Sequence, residues 1–171
     1  DYYGFQRQKG AETVQSELES ALRKIGWQGK AIQAAGRTDA GVHATGQVVA
    51  FYHEWKHPIG QMKAALNSYL PKSIAVQSVA IVADDFQPRY DAVSREYQYA
   101  IMLAENRQPQ KERYTWRISA YLDWEKINEI ANFFLGKHDF SQFGRMQKKD
   151  GYAEREVLVS KWEQVSSTDY Q

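Results

Sequence analysis

The spacing of apolar positions along the chain changes several times, and each change marks an element. From Thr13 onward, Val14, Leu18, Leu22 and Ile25 fall on one helical stripe, with Thr13 placed to cap the first turn. Ala31-Ile32-Gln33-Ala34 then alternates as a short strand over about 31–35, and Val48-Val49-Ala50-Phe51-Tyr52 is the β-branched and aromatic run of a second strand over about 47–53. Pro58 opens another helix with Ile59, Met62, Ala65 and Leu66 inward. An apolar stretch over 74–83 predicts a third strand, closing at Asp84-Asp85, and a hinge region follows near 86–93. In the second half Arg95, Tyr97, Tyr99, Ile101 and Leu103 alternate as a strand, followed by a loop rich in Arg, Gln and Lys at 105–113. A helix is expected over Asp123–Leu135, ended by Gly136, and a strand over Val157–Trp162. Strands and helices interleaved in this way predict an α+β fold in which two subdomains, 1–90 and 91–171, share a sheet and form one domain.

Composition narrows the classes open to such a chain. Its 171 residues are 43% hydrophobic and 25% charged, enough to bury one or two compact cores and too apolar for a disordered tail. The absence of cysteine excludes disulfides, thiolate metal sites and a cysteine nucleophile, and four scattered histidines give no reason to expect a metal. The apolar stretches are too short to span a bilayer, and the start lacks a charged-then-apolar signal, so no membrane association and a cytoplasmic location are expected. A net charge of +1 and a pI near 8.1 give only weak support for a polyanionic partner. Basic residues nevertheless gather at Arg7/Lys9, Arg23/Lys24, Arg107/Lys111/Arg113 and Arg145/Lys148/Lys149, near aromatic residues. Taken singly such clusters are solvated surface; they become candidate phosphate contacts only in company with a nucleic-acid-binding motif.

Chemistry concentrates in the loop between the first two strands, Gly36-Arg37-Thr38-Asp39-Ala40-Gly41-Val42-His43-Ala44-Thr45-Gly46-Gln47. Its three glycines permit a tight turn and close approach of the main chain to a ligand. Asp39 supplies a carboxylate that is ionised at neutral pH and able to act as nucleophile or base. Arg37 offers a planar fork of donors suited to a phosphate or to stacking on a base, and His43 adds a third polar group. The plainer alternative is that Asp39 and Thr38 only form turns by bonding their own backbone.

The string GRTDAGVHATGQVV resembles the signature of the TruA family of tRNA pseudouridine synthases, in which the aspartate of the RTDAG core is catalytic. Other segments resemble that family in the same order. Tyr3-Gly4-Phe5-Gln6-Arg7-Gln8 is similar to YxGWQRQ with Phe5 in the tryptophan position, Thr13-Val14-Gln15 through Ala21-Leu22 to its first helix, and Leu66-Asn67-Ser68-Tyr69-Leu70-Pro71 to an LNxxLP turn. Asp85-Phe86, Arg89-Tyr90 and Ser94-Arg95-Glu96-Tyr97-Gln98-Tyr99 resemble DFxARxxAxxRxYxY with Pro88 in the alanine position, and Gly136–Phe143 resembles GxHDFxxF. The likeness covers nearly the whole chain.

The resemblance implies the pseudouridine synthase fold, a mixed, mostly antiparallel sheet shared by two subdomains with flanking helices. It implies conversion of uridine to pseudouridine in the anticodon stem-loop, at tRNA positions 38, 39 and 40, without a cofactor and by a homodimer that grips one tRNA across both subunits. Asp39 is then the essential group, attacking ribose C1′ or abstracting a ribose proton. Arg37 fills the space left by the flipped base or binds its phosphate, and Tyr97 stacks on the target base, whereas an aromatic in an alternating strand is otherwise a core residue. Arg95 pairs with Asp39 or contacts phosphate. Arg7, His43, Gln47, Arg89, Lys148 and Lys149 complete the expected RNA contacts. His138-Asp139 is expected to be a satisfied pair after a helix end.

Departures from the pattern at both ends and in one linker suggest an incomplete sequence. The chain starts inside the YxG motif and stops before an MVRxxVG-like segment that carries a further basic active-site residue, and Arg23–Gly29 is a short linker for the family. A catalytically incomplete RNA-binding module of the same fold is therefore the competing expectation. A glycosidase is disfavoured, because glycoside hydrolysis ordinarily needs a second positioned carboxyl group and the loop holds one.

Overall fold

The computed structural model describes residues 1–143, 153–165 and 169–170. The chain divides into two compact units, Asp1–Arg95 and Glu96–Gln171.

In the first unit, α1 (Val14–Lys24) begins at a capping box. The Thr13 hydroxyl accepts the Ser16 amide at 3.3 Å, and the Ser16 hydroxyl accepts the Thr13 amide at 3.0 Å, satisfying two donors that the helix leaves open. It ends at Ile25-Gly26, where Gly26 takes φ +95° and Trp27 N–H reaches back to the Leu22 carbonyl at 3.0 Å. Helix α2 (Ile59–Tyr69) starts behind Pro58 and turns Met62 and Leu66 inward. These helices enclose a core of Phe5, Ala21, Leu22, Trp27, Ile32, Met62 and Leu66. Strands β1 (Gln33–Ala34) and β2 (Val49–Ala50) pair antiparallel, Gln33 opposite Ala50 and Ala34 opposite Val49.

The expected strand over 74–83 lies outside any ladder. A side chain takes the place of a neighbouring strand there: Asn67 accepts the Val76 amide at 2.7 Å and donates to the Val76 carbonyl at 2.9 Å. The connecting region closes on itself, with the Gln87 amide donating to the Asp91 carboxylate at 2.7 Å.

In the second unit, β3 (Ile101–Leu103) pairs parallel to β4 (Trp116–Ile118) and antiparallel to β7 (Asp169–Tyr170). The strand expected from Arg95 is thus confined to its last three residues, because β4 offers a partner only from Trp116 onward. Helix α3 (Trp124–Asn132) is capped by Asp123, which accepts the Lys126 amide at 3.2 Å. It leads into β5 (Gly136–Asp139), antiparallel to β6 (Glu154–Val157). The last expected strand therefore lies earlier than Val157–Trp162, sharing only Val157. The loop after β3 is organised by Glu112, which accepts from Arg107 Nε at 3.1 Å and Arg117 Nε at 2.8 Å. The Arg107 hydrogen bond, with Arg117 beside it, holds the Glu112 carboxyl below the usual carboxylate range.

Among the described residues the strands form three small sheets, each lying within one unit, rather than the single shared sheet expected. A sheet exists only where ladder bonds are made, and the two longest alternating runs make few of them. No helix among the described residues is long and apolar enough to cross a membrane.

Candidate active site

The Gly36–Gln47 loop is the connection of the β1–β2 hairpin. Past the paired strands, Ala35 N–H donates to the Val48 carbonyl at 2.9 Å, and the Gln47 side-chain amide donates to the Gly36 carbonyl at 2.9 Å. Gln47 therefore braces the loop base, a structural use of a residue expected to touch RNA. A turn at the tip brings Val42 N–H to the Asp39 carbonyl at 3.2 Å, and Gly41 takes φ +83° beside it. Of the three glycines in the loop, Gly41 alone uses the left-handed region.

Asp39 is exposed at this tip, and its carboxylate makes no hydrogen bond or ion pair among the described residues. The same holds for Arg37, two residues before it. The turn-forming alternative needed the Asp39 side chain to bond its own backbone; it is the Asp39 carbonyl that closes the turn, leaving the carboxylate to solvent. A naked carboxylate on a braced loop suits attack or proton abstraction, with donors of Arg37 close by in sequence. His43 is exposed on the same loop.

The loop is held by the Tyr3–Gln8 segment, in which only Arg7 was expected to act. Phe5 N–H donates to the Thr38 carbonyl at 2.9 Å, one residue before Asp39. Phe5 itself is 3% exposed, locked in the core. Glu19, on α1, is fully buried at 0% and forms a hub. Its Oε2 meets Arg7 Nη1 at 2.6 Å and Arg23 Nη2 at 3.7 Å, while Oε1 accepts from Gln15 Nε2 at 2.9 Å and from the Ile32 amide at 3.2 Å. Four donors stabilise a charge that burial alone would penalise. A carboxylate four residues after Gln15 and three before Leu22, on the inward face of α1, was the available sign.

The expected basic contacts sort by these partners. Arg7 and Arg23 are tied to Glu19, and Arg107 to Glu112. Arg95 does not pair with Asp39: its Nη2 donates to the Ala35 carbonyl at 3.1 Å and the Arg89 carbonyl at 2.8 Å, so it fastens the Arg89 segment to the loop base. The Arg89 guanidinium lies over the Tyr90 ring, 5.8 Å from its centre. Tyr97 is 78% exposed in the second unit. His138 and Asp139 are not a pair. His138 Nε2 meets the Leu135 carbonyl at 2.8 Å, whereas Asp139 accepts the Ser141 amide at 2.8 Å, as expected for consecutive strand residues that face opposite ways. Arg145, Lys148 and Lys149 lie outside the described residues. Among the described residues no cluster of His, Asp and Glu has the makings of a metal site.

A family described as tRNA pseudouridine synthase matches residues 1–91, which contain the whole hairpin and its supports. The chain is 41% identical over 142 residues to tRNA pseudouridine synthase A of Borrelia hermsii, covering 83% of this chain and 58% of that protein. It is 42% identical over 142 residues to the synthase A of Methylacidiphilum infernorum, covering 83% and 56%. With the synthase A of Borrelia turicatae it shares 36% over 161 residues, covering 94% and 66%. The chain thus spans between about half and two thirds of the length of these relatives. With the family match centred on the half that presents Asp39, and relatives of one description along most of the rest, the chain belongs to the TruA family of tRNA pseudouridine synthases.

Proposed function

We propose that this chain carries the catalytic aspartate of a tRNA pseudouridine synthase, with Asp39 as the reacting group. The observation that carries the reading is the Asp39 carboxylate, exposed and unpartnered among the described residues on a hairpin whose backbone is pinned at Ala35, Gly36 and Thr38. In the reaction the bond from ribose C1′ to uracil N1 breaks, the ring turns, and C5 joins C1′. The proton on C5 is lost and N1 gains one, so atoms balance without an oxidant or co-reactant. Asp39 attacks C1′ or takes a ribose proton; either route requires its ionised form. A base must leave the stack to be reached, at a cost of a few kcal/mol, which suits Arg37 to the vacated space or its phosphate and Tyr97 to stacking on the extruded ring.

The substrate is proposed to be uridine at positions 38–40 of the anticodon stem-loop, held in the cytoplasm by a homodimer whose subdomains share one sheet in the full-length protein. His43, Arg89, Lys148 and Lys149 are proposed phosphate contacts, with Arg7, Arg95 and Gln47 acting through the loop and segments they brace. An RNA-binding module without chemistry is the weaker reading, since it leaves the solvent-facing Asp39 without a use.

Asp39→Asn tests the reading, because it removes the charge at nearly constant size. In the full-length protein, tritium release from C5-labelled tRNA should fall by about a thousandfold or more while tRNA affinity stays within a few-fold. Turnover within about tenfold of the parent would remove Asp39 from the chemistry.

A further inference from the structure

We propose that Gly4 is a positioning residue for Asp39, the bare α-carbon on which the catalytic loop rests. The inference depends on the reading of Asp39 as the reacting group. A β-carbon at Gly4 would stand 2.8 Å from the Thr38 carbonyl oxygen, 3.4 Å from the Ala40 amide nitrogen and 3.4 Å from the Asp39 carbonyl carbon. The backbone on both sides of the aspartate therefore lies against this one position. Gly4 also has φ +86°, in the region that favours glycine.

The segment that presents Gly4 is itself fixed from α1. The Gly4 carbonyl accepts the Val14 amide at 3.3 Å and the Phe5 carbonyl accepts the Gln15 amide at 2.9 Å, so two open donors of the first helical turn hold it. Phe5 turns its ring into the core and its N–H to the Thr38 carbonyl. Through Glu19 the same helix grips the hairpin at its entry, Ile32. The Asp39 side chain has no partner of its own among the described residues, so the aim of the carboxylate comes from its backbone alone. Gly4 and Phe5 set that backbone: one by an absence of atoms, the other by a hydrogen bond.

The test is a pair of glycine substitutions in the full-length protein. Gly10 has φ +76° and nothing within 4 Å of its would-be β-carbon, so Gly10→Ala imposes the backbone strain without the contact. Gly4→Ala should lower kcat by about a hundredfold with tRNA Kd within about twofold, the cost expected when a reacting group moves by about 1 Å. Gly10→Ala should leave both within about twofold of the parent. Gly4→Asn, whose residue tolerates positive φ better than Ala, should show the same loss of kcat because its β-carbon meets the same atoms. Asp39→Asn is measured alongside. If it keeps turnover, the reading of Asp39 fails and the positioning role falls with it; if it is inactive while both Gly4 variants turn over like Gly10→Ala, only the positioning role falls. A parallel loss of tRNA affinity, or both Gly4 variants failing to fold where Gly10→Ala folds, would make Gly4 a residue of general architecture and overturn the proposal.

Discussion

Asn67 and Asn128 perform the same task in different surroundings. Each sits on a helix and holds one residue of another segment by both backbone groups: Asn67 holds Val76 at 2.7 and 2.9 Å, and Asn128 holds Trp162 at 2.7 and 3.2 Å. Behind Asn67 lie Met62 and Leu66, part of a closed core. Beside Asn128, Ile127, Ile130, Ala131 and Phe134 line an open groove of about 230 Å³ with Ser160 and Trp162. A side-chain amide can imitate a ladder rung wherever a helix passes an extended segment, whether or not a core stands behind it. The first unit closes a core around Leu22 and leaves one carboxylate on a braced tip, with Tyr52, Ile81 and Tyr90 exposed elsewhere on it. The second leaves Tyr97, Tyr99, Trp116 and Phe133 at the surface.

The largest effect on stability should come from deleting core volume in the first unit. Leu22 is fully buried, so Leu22→Ala should cost about 2–5 kcal/mol, whereas Ile130→Ala, on an exposed groove wall, should cost about 0.5 kcal/mol or less. Hydrogen exchange followed separately over Asp1–Arg95 and Glu96–Gln171, with urea unfolding of each variant, reads both. Equal losses would show that the groove is as much a core as the cluster around Leu22.

The two asparagines sharpen the contrast at a smaller scale. Asn67→Ala strands the Val76 amide and carbonyl against the packed side of α2, and should cost about 1–3 kcal/mol. Asn128→Ala makes the same deletion beside the groove that Trp162 lines, and should fall at about the lower end of that range or below. Urea midpoints compare them; a larger loss from Asn128→Ala would mean that the amide, and not the core, holds the second unit together.

These differences explain what could be read in advance. The helices were legible because their signals are local: Thr13 and Asp123 cap, Pro58 opens, and the stripes Val14-Leu18-Leu22 and Met62-Leu66 need only 3.6-residue spacing. The hairpin around Asp39 was legible because two apolar runs flank a glycine-rich loop. Strands were expected over 74–83 and 95–99 and do not form, because alternation reports that a segment has two faces without naming a neighbour. Asn67 supplied the missing neighbour at Val76, and the run from Arg95 met β4 only at Ile101. The strand predicted at Val157–Trp162 shifted to Glu154–Val157, whose charged residues carry no apolar period to find. At the site Asp39 was visible and its supports were not. The partners of Glu19 come from Arg7 and Ile32, on separate stretches of chain, and the closeness of Gly4 to Thr38 exists only once the chain is folded.

Tyr97 gives the smallest expected change in stability and the finest test of the contrast. Its ring is largely exposed, so neither Tyr97→Phe nor Tyr97→Leu should move the unfolding midpoint by more than about 0.5 kcal/mol in equivalent stability. If the exposed aromatics of the second unit meet bases, the two substitutions should part company in activity. Phe keeps a flat ring and most of the turnover; Leu loses stacking of about 1–3 kcal/mol per base, or roughly five- to 150-fold in tritium release. Equal and mild effects on turnover would assign Tyr97 no stacking role. Equal losses of stability from Tyr97→Phe and Tyr97→Leu would assign the ring to packing.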